Sequence, residues 1–187
     1  LYGLDFDGKV IWERDLGEMN TKHGHGEGAS PAMWQGTLAV NWDHEETSFL
    51  ATFDVKTGEP KWRELRDEGT SWSTPIVYEH DGVPQLIVSA TTAVRGYDLR
   101  SGEALWQAGG LSANVVATPL AADGYVYAAS SYTFQSMFAI RLGGAKGDLT
   151  DSDHIVWKRR KRTPYIPSPL LYRDHLYFLS HYQGVLN

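Results

Sequence analysis

Two histidines and a glutamate alternate with glycines in the segment HGHGEG, at His23, His25 and Glu27. Asp43 and His44 follow in the next polar segment, WDHEETS. Imidazole and carboxylate groups together suit a divalent metal. No spacing here matches a defined metal motif, and exposed His and Glu side chains in a glycine-rich loop are usually solvated. We therefore assign no metal site. His23, His25 and Glu27 remain weak metal candidates, with the alternative that Glu27 or His25 hydrogen-bonds the backbone of the next loop.

A run of five basic residues, KRRKR, occupies residues 158–162. Such runs occur in nuclear-localisation signals and in nucleic-acid-binding patches. The chain carries a net charge of −6, which argues against a nucleic-acid partner. We interpret the run as a solvated basic segment or as salt-bridge partners for the acidic loops. Arg160 is kept as a candidate for binding an anionic ligand or the carboxylates of a partner.

The composition excludes several classes of site. The chain has 187 residues, of which 42% are hydrophobic and 21% charged, as in an ordinary globular protein with a real core. It has no Cys, which removes disulfides, Cys-ligated zinc, covalent haem attachment and Cys nucleophiles. No apolar run approaches the length of a membrane span. The sequence begins at Leu1 in a strand-like pattern, so we expect a fragment or processed piece of a longer protein.

Four tryptophans and four prolines recur along the chain at a common interval. Successive tryptophans are 50, 44 and 51 residues apart, and successive prolines are 44, 44 and 50 residues apart. Two independent markers with a shared period indicate an internal repeat. The markers are Trp12, Trp62, Trp106 and Trp157, and Pro31, Pro75, Pro119 and Pro169.

Each period has the pattern of four short strands. In residues 72–109 the segments WSTPIVYEH, PQLIVSAT, VRGYDL and EALWQAG are separated by turn-forming Gly, Asp and Ser. No amphipathic helix of useful length is visible. Four antiparallel strands at this period are typical of a β-propeller blade, because stacking blades around an axis buries the faces that a lone sheet would expose. The sequence therefore predicts an all-β propeller.

The repeated Asp, Gly and Trp are predicted to be structural. Each Asp is expected to accept hydrogen bonds from backbone N–H groups in the turn between the third and fourth strands. The Gly is expected to supply a positive φ angle in that turn. Each Trp is expected to fill the gap between blades rather than to stack on a cofactor. These docking positions are Asp5, Gly8, Trp12, Asp54, Gly58, Trp62, Asp98, Gly102, Trp106 and Trp157.

The pattern Asp-x-x-Thr/Ser-Gly-x-x-x-Trp, present in DVKTGEPKW and DLRSGEALW, resembles the tryptophan-docking repeat of the PQQ-like, or quinoprotein-type, β-propellers. Segments such as TPIVYEHDGVPQLIVSA are most similar to the BamB-like repeat proteins of that superfamily. The family pattern begins Ala-x-Asp, and Thr52 and Gly96 replace its Ala here. In the fourth unit Ala139 is kept, but Arg141 stands in the Asp position. The resemblance covers the whole chain and implies a fold with WD40- or YVTN-like repeats, not an activity.

The resemblance also implies how the strands divide into blades. We expect the last half of one blade at residues 1–16, complete blades at about 28–66, 72–109 and 113–160, and the first half of another at 165–183. This is about half of a ring of seven or eight blades. We expect a fragment of such a ring. The alternatives are a four-bladed ring closed by the two terminal half-blades, or a homodimer that completes the ring.

By the same resemblance, the loops that enter the innermost strands and the loops that join the second and third strands share one face, which we call the top face. Loops on a rigid scaffold are where binding residues are usually found. Trp72 and Asn114 lie in loops that enter blades and are candidates for lining a central site. The candidates for contacting a ligand or partner are His23, His25, Glu27, Asp43, His44, Trp72, Asn114, Arg160 and Tyr165.

PQQ enzymes of this superfamily hold the quinone over the axis with a calcium ion and an Asp base. Many of them also carry a disulfide between adjacent cysteines against the quinone. This sequence has no Cys and no matching calcium motif, so we expect no cofactor and assign no catalytic residue. The favoured function is a non-enzymatic scaffold that binds a protein or other ligand through its top face. The alternatives are a fragment of a PQQ- and calcium-dependent alcohol dehydrogenase, and an extracytoplasmic sensor or ligand-binding domain of a larger protein. The family also implies a periplasmic or otherwise extracytoplasmic location.

Overall fold

Seventeen short strands and one 3-10 turn (Lys22–Gly24) are found in the computed structural model, which describes residues 1–180 and 186. The last part of the predicted C-terminal half-blade, residues 181–183, lies outside the described residues. The strands are β1 (Tyr2–Leu4), β2 (Val10–Glu13), β3 (Ala32–Trp34), β4 (Thr37–Trp42), β5 (Ser48–Asp54), β6 (Pro60–Arg66), β7 (Ile76–His80), β8 (Val83–Ser89), β9 (Ala93–Asp98), β10 (Ala104–Gly109), β11 (Leu120–Ala122), β12 (Tyr125–Ser130), β13 (Ser136–Arg141), β14 (Gly147–Asp148), β15 (Ile155–Arg159), β16 (Leu170–Tyr172) and β17 (His175–Tyr177).

The strands form three blades between two hairpins. The first blade has the order β3-β4-β5-β6, the second β7-β8-β9-β10 with β14 at its outer edge, and the third β11-β12-β13-β15. All pairs of consecutive strands within a blade are antiparallel. The hairpins β1-β2 and β16-β17 form separate two-stranded sheets. Over the described residues the hairpins therefore do not merge into a fourth blade, and the four-bladed ring is not formed.

The hydrophobic core lies between neighbouring blades. Leu50 of the first blade packs with Leu86 and Val88 of the second in one buried cluster. Ile87 of the second blade packs with Val126 of the third in another. Because a neighbouring sheet covers each face, the central strands lose both surfaces to the core, as stacked propeller blades require.

Trp12 and Trp62 join each blade to the next. The Trp12 indole Nε1 donates a hydrogen bond to the carbonyl of Val55 at 3.0 Å. Trp62 makes the equivalent bond to Leu99 at 2.8 Å. The ring of Trp12 lies over Gly58, where a Cβ would come within 2.6 Å of it. Each of these tryptophans thus fills the gap beside the Asp-Gly turn of the following blade.

The Asp-Gly turn is closed by the Asp side chain. Oδ1 of Asp54 accepts hydrogen bonds from the backbone N–H groups of Lys56 at 2.9 Å and Thr57 at 3.1 Å. Asp98 repeats these contacts one blade later. Gly58 has a φ of +68°, a conformation that L side chains rarely adopt.

The residue opposite Trp12 and the residue opposite Trp106 are both glycine. Gly3 faces Trp12 and Gly96 faces Trp106 across the strand pair. A Cβ would lie 2.3 Å from the ring at Gly3 and 2.4 Å at Gly96. These glycines stand in the position where the family repeat has Ala, so the departure from that pattern gives the indole more room.

Trp106 departs from the other docking tryptophans. It is 2% exposed, and its Nε1 donates to Oε1 of Gln85 in its own blade at 2.7 Å. The third blade lacks the Asp-Gly turn that would receive it, because Arg141 replaces the Asp and instead pairs with Asp153 at 3.1 Å. Trp157, which has no described Asp-Gly turn beyond it, is 39% exposed.

The insertion GGAKGDLTDSD, residues 143–153, precedes the last strand of the third blade and adds a fifth strand to the second blade. Its strand β14 pairs in parallel with β10, with Gly147 opposite Trp106. The backbone N–H of Leu149 donates to the carbonyl of Gln107 at 2.8 Å, and the Leu149 side chain is buried. The insertion therefore covers a strand edge that would otherwise be open. The sequence pattern of this segment does not predict the pairing.

Candidate functional site

The loops at one end of the three blades are joined to one another by hydrogen bonds. In the first blade Glu45 N donates to the carbonyl of Asn20 at 2.9 Å. In the second, Thr91 Oγ1 donates to the carbonyl of Thr70 at 3.1 Å. The third blade has the matching link between Ser112 N and a serine hydroxyl of its β12 strand. The loops entering each blade and the loops joining its second and third strands therefore share the top face.

The HGHGEG loop is attached to Trp72. The Trp72 indole Nε1 donates to the carbonyl of Gly26 at 2.8 Å, and the His25 ring lies 5.9 Å from the Trp72 ring. His23 lies 5.5 Å from His25 and has a φ of +61°. A Cβ at Gly28 would come within 2.7 Å of the indole. The loop is thus shaped around Trp72 while its two imidazoles stay exposed.

Glu45 clamps the same loop to the loop of the second blade. Its Oε1 accepts hydrogen bonds from the Thr70 N–H at 3.0 Å and the Thr70 hydroxyl at 2.6 Å, and these bonds lower the pKa of Glu45. The Thr70 hydroxyl in turn accepts from the N–H of Lys22 at 2.9 Å. The contact between the loops is therefore made by these residues. Glu27, proposed for that role from the sequence, is exposed.

Asp43 lies in a buried ion pair and does not reach the surface. Nη2 of Arg66 donates to Oδ2 of Asp43 at 3.2 Å, while Nε lies 3.1 Å from Oδ1 in poor hydrogen-bond geometry. The hydroxyl of Ser71 donates to Oδ2 at 2.6 Å. Burial raises the pKa of Asp43, and Arg66 and Ser71 oppose this rise. The prediction that Asp43 faces a ligand is corrected, because the carboxylate is enclosed by its partners.

His44 is also a structural residue. It is 4% exposed. Its Nδ1 accepts from the N–H of Asn20 at 3.1 Å, and its Nε2 lies 3.0 Å from the carbonyl of Thr47. These partners fit a neutral ring with the proton on Nε2. The expectation that His44 contacts a ligand is corrected, since both ring nitrogens are already used.

A second ion pair joins the buried Glu68 to Arg95, whose side chain is partly exposed. The carboxylate of Glu68 contacts the guanidinium of Arg95 and the hydroxyl of Thr92, and it accepts from the Thr92 N–H at 2.9 Å. Arg95 is held from the other side by Gln107 at 3.1 Å. Sequence analysis missed the contributions of Arg66 and Glu68, because each finds its partner on a different strand or loop.

Asn114 is buried, with a φ of +55°, and its Oδ1 has no hydrogen-bond partner among the described residues. The residues that the structure describes contain no group of three or more His, Cys, Asp or Glu placed to hold a metal. His23 and His25 do lie together, but Glu27 does not join them in such a group.

A basic cleft lies among the loops beside the third blade. We define it by Ser131–Gln135, Arg160–Arg162 and Ser180, which enclose about 540 Å³. Arg160 donates to the carbonyl of Gly110 at 3.1 Å and lies over the Phe134 ring. The Tyr132 and Tyr165 rings stack 6.0 Å apart nearby. The structure thus brings Arg160 and Tyr165 to the same part of the top face.

The fold and docking geometry define a β-propeller of the quinoprotein type. A family model described as outer membrane protein assembly factor BamB matches residues 1–187. The chain therefore belongs to the BamB family. A comparison with curated protein sequences finds no match. Over the described residues, no helix is both long and apolar enough to span a membrane.

Two solved structures share the fold. The crystal structure of BamB from Moraxella catarrhalis superposes with a TM-score of 0.63 and 20% identity, covering 96% of this chain and 49% of that one. A europium-containing methanol dehydrogenase superposes with a TM-score of 0.60 and 13% identity, covering 83% of this chain and 27% of that one. At these identities the likeness shows the fold alone. The chain spans about half the length of the BamB structure.

Proposed function

We propose that the chain is a non-enzymatic β-propeller platform that binds a partner protein through its top-face loops, outside the cytoplasm. The observation that carries the proposal is that some top-face side chains fix the loops while others remain exposed to a partner. Glu45, Thr70 and Trp72 hold the loops in place, while His23 and His25 stay exposed. A surface that is already ordered loses less conformational entropy on binding a partner.

Membership of the BamB family supports the same function. The family is described as an outer membrane protein assembly factor, a name that refers to the assembly of other proteins. This description also supports the extracytoplasmic location. We also propose that two chains can pair through their terminal hairpins to complete the ring, since Leu4 and Leu170 of these hairpins are solvent-accessible.

Photo-crosslinking tests the proposal. A photoreactive amino acid placed at His23 or Tyr132 reports on the top face, and one at Lys56 or Glu103 reports on the turns at the opposite end of the blades. All four positions are exposed. In an extract from the source cells, we expect both top-face positions to crosslink to one protein that the turn positions do not reach. Equal crosslinking from both ends, or crosslinking from the turns alone, would contradict the proposal.

The fold shared with a methanol dehydrogenase supports a second candidate, a quinoprotein oxidoreductase. Purified chain is incubated with PQQ and calcium and assayed for dye-linked alcohol oxidation. The scaffold proposal predicts no turnover and no shift in the absorbance of the quinone. A shifted quinone spectrum with turnover would replace the scaffold proposal by the oxidoreductase.

A further inference from the structure

The five consecutive basic residues differ in whether their side chains contact the rest of the described fold. Lys158 donates to the carbonyl of Thr150 at 3.0 Å, and Arg159 donates to a backbone carbonyl within its own loop at 2.7 Å. The side chains of Lys161 and Arg162 are exposed and make no hydrogen bond or ion pair with any described residue. Both line the basic cleft. Two free positive charges therefore point to a recognition role at this position.

Arg160 is held in place as the inner wall of the cleft. Nη1 of Arg160 donates to the carbonyl of Gly110 at 3.1 Å and to the hydroxyl of Ser136 at 2.9 Å. Its guanidinium carbon lies 5.5 Å from the centre of the Phe134 ring. Because these contacts involve neutral groups only, the positive charge of Arg160 is not neutralised. Its remaining N–H groups are available to an acceptor.

The two loops that form the cleft are fastened to each other. The hydroxyl of Ser131 lies 2.6 Å from the hydroxyl of Thr163 and donates to the carbonyl of Pro164 at 2.8 Å. Ser131 is 2% exposed and Thr163 is fully buried. The cleft is therefore preformed, and binding requires little ordering of its loops.

Exposed aromatic rings also line the cleft. Tyr132 is 42% exposed and Phe134 is 48% exposed, although both are large side chains that usually bury more of their area. Aromatic residues beside Arg are the combination enriched at protein interfaces. The cleft thus offers apolar area together with positive charge.

The occupant must be anionic. The described residues that line the cleft include no Asp or Glu. The remainder of the chain is acidic, since the net charge of −6 includes these basic residues. A long polyanion lying across the surface would meet repulsion beyond the cleft, whereas a short acidic segment would not.

The charge of the whole chain favours a peptide over a nucleic acid. A nucleic acid carries a phosphate at every nucleotide, so its negative charge would continue onto the acidic surface beyond the cleft, whereas a peptide carries acidic side chains only where its sequence places them. We propose that the basic cleft binds an acidic, aromatic-containing peptide segment of the partner protein. This inference rests on the proposed function, because the cleft is part of the same top face.

Fluorescence anisotropy tests the inference. The probe is a fluorescein-labelled peptide that alternates Glu and Phe, and its control has Gln in place of every Glu. Lys161→Glu/Arg162→Glu removes the two free charges. Lys56→Glu/Lys146→Glu makes the same change of net charge at exposed positions away from the cleft. We expect the cleft variant to bind the Glu peptide at least about tenfold more weakly than the parent, in a salt-dependent manner, and the control variant to bind it like the parent.

Other outcomes overturn the inference. Equal binding of the Glu and Gln peptides, or an equal loss of affinity for the Glu peptide in both variants, would show that the cleft does not recognise acidic side chains. Tighter binding of a thymidine oligonucleotide of matched charge would make the cleft a nucleic-acid surface. If no peptide binds while the crosslink from position 23 persists, the cleft inference fails and the proposed function stands. If the peptide binds but no top-face position crosslinks, the proposed function fails and the cleft stands.

Discussion

Gly58→Ala should lower the free energy of unfolding by more than the cost of holding an alanine at a positive φ angle. Gly58 has a φ of +68°, and a Cβ there would lie 2.6 Å from the Trp12 ring. A left-handed conformation costs a non-glycine residue about 1–2 kcal/mol. Forcing extra atoms into a packed site costs about 1–3 kcal/mol. We therefore expect Gly58→Ala to lower the free energy of unfolding by about 2–5 kcal/mol.

Gly36→Ala is the matched control in the same blade. Gly36 has a φ of +79° in the β3-β4 turn, and a Cβ there meets no atom within 4 Å. It should cost only the conformational part, about 1–2 kcal/mol. Gly102→Ala should fall between the two, because its Cβ would lie 3.0 Å from the ring of Trp62.

The assay is urea unfolding followed by circular dichroism, with the slope m compared between variants to confirm that stability alone has changed. Trp12→Ala removes the ring that the new methyl would meet. In that background, Gly58→Ala should cost no more than Gly36→Ala does in the parent. Equal costs for Gly58→Ala and Gly36→Ala in the parent, or an unchanged cost for Gly58→Ala without the Trp12 ring, would refute the reasoning.

Three further predictions concern the ion pair, the Asp turn and the insertion. Arg66→Met should lower the free energy of unfolding in urea by about 3–5 kcal/mol, because it leaves Asp43 buried without its partner. Adding Asp43→Leu should restore part of this loss, and no restoration would contradict the pairing. Backbone N–H groups hold the pKa of Asp54 below its ordinary value of 3.8, so its contribution to stability is present above that pH and is lost as the pH falls through the folded-state pKa. Asp54→Asn should therefore flatten the acid side of a plot of unfolding free energy against pH, and an unchanged slope would refute this. Leu149→Ala should cost about 2–5 kcal/mol in the same urea assay, whereas Lys146→Ala should be nearly neutral; equal effects would show that the insertion does not contribute to the core.

The blade architecture could be predicted because its determinants are local and repeated. Asp54, Gly58 and Trp62 lie close together in the chain, so their spacing is visible in the sequence, even though the Trp62 indole docks on Leu99 of the next blade. The third blade is the exception. Arg141 replaces the Asp there, and the Trp106 indole donates instead to Gln85 of its own blade, a partner that the sequence around Trp106 does not predict.

The site was harder to predict because its contacts join segments that are distant in the sequence. Asp43 looks like a surface carboxylate in a polar loop until Arg66, on the other side of a strand, is placed against it. The basic run is visible in the sequence, but its role depends on which of its side chains form hydrogen bonds within the fold. Only the structure separates Lys158, whose side chain is bonded to Thr150, from Lys161, whose side chain has no partner among the described residues.

Hydrogen exchange of the chain, alone and in complex with the crosslinked partner, tests the central claim most directly. The proposal is that the repeated residues build the scaffold while the top-face loops bind the partner. It predicts that the partner slows exchange in residues 20–30, 66–73, 130–136 and 158–168. Exchange in the Asp-Gly turns around Gly58 and Gly102 should not change. Protection of those turns, with the top-face loops unaffected, would contradict the account.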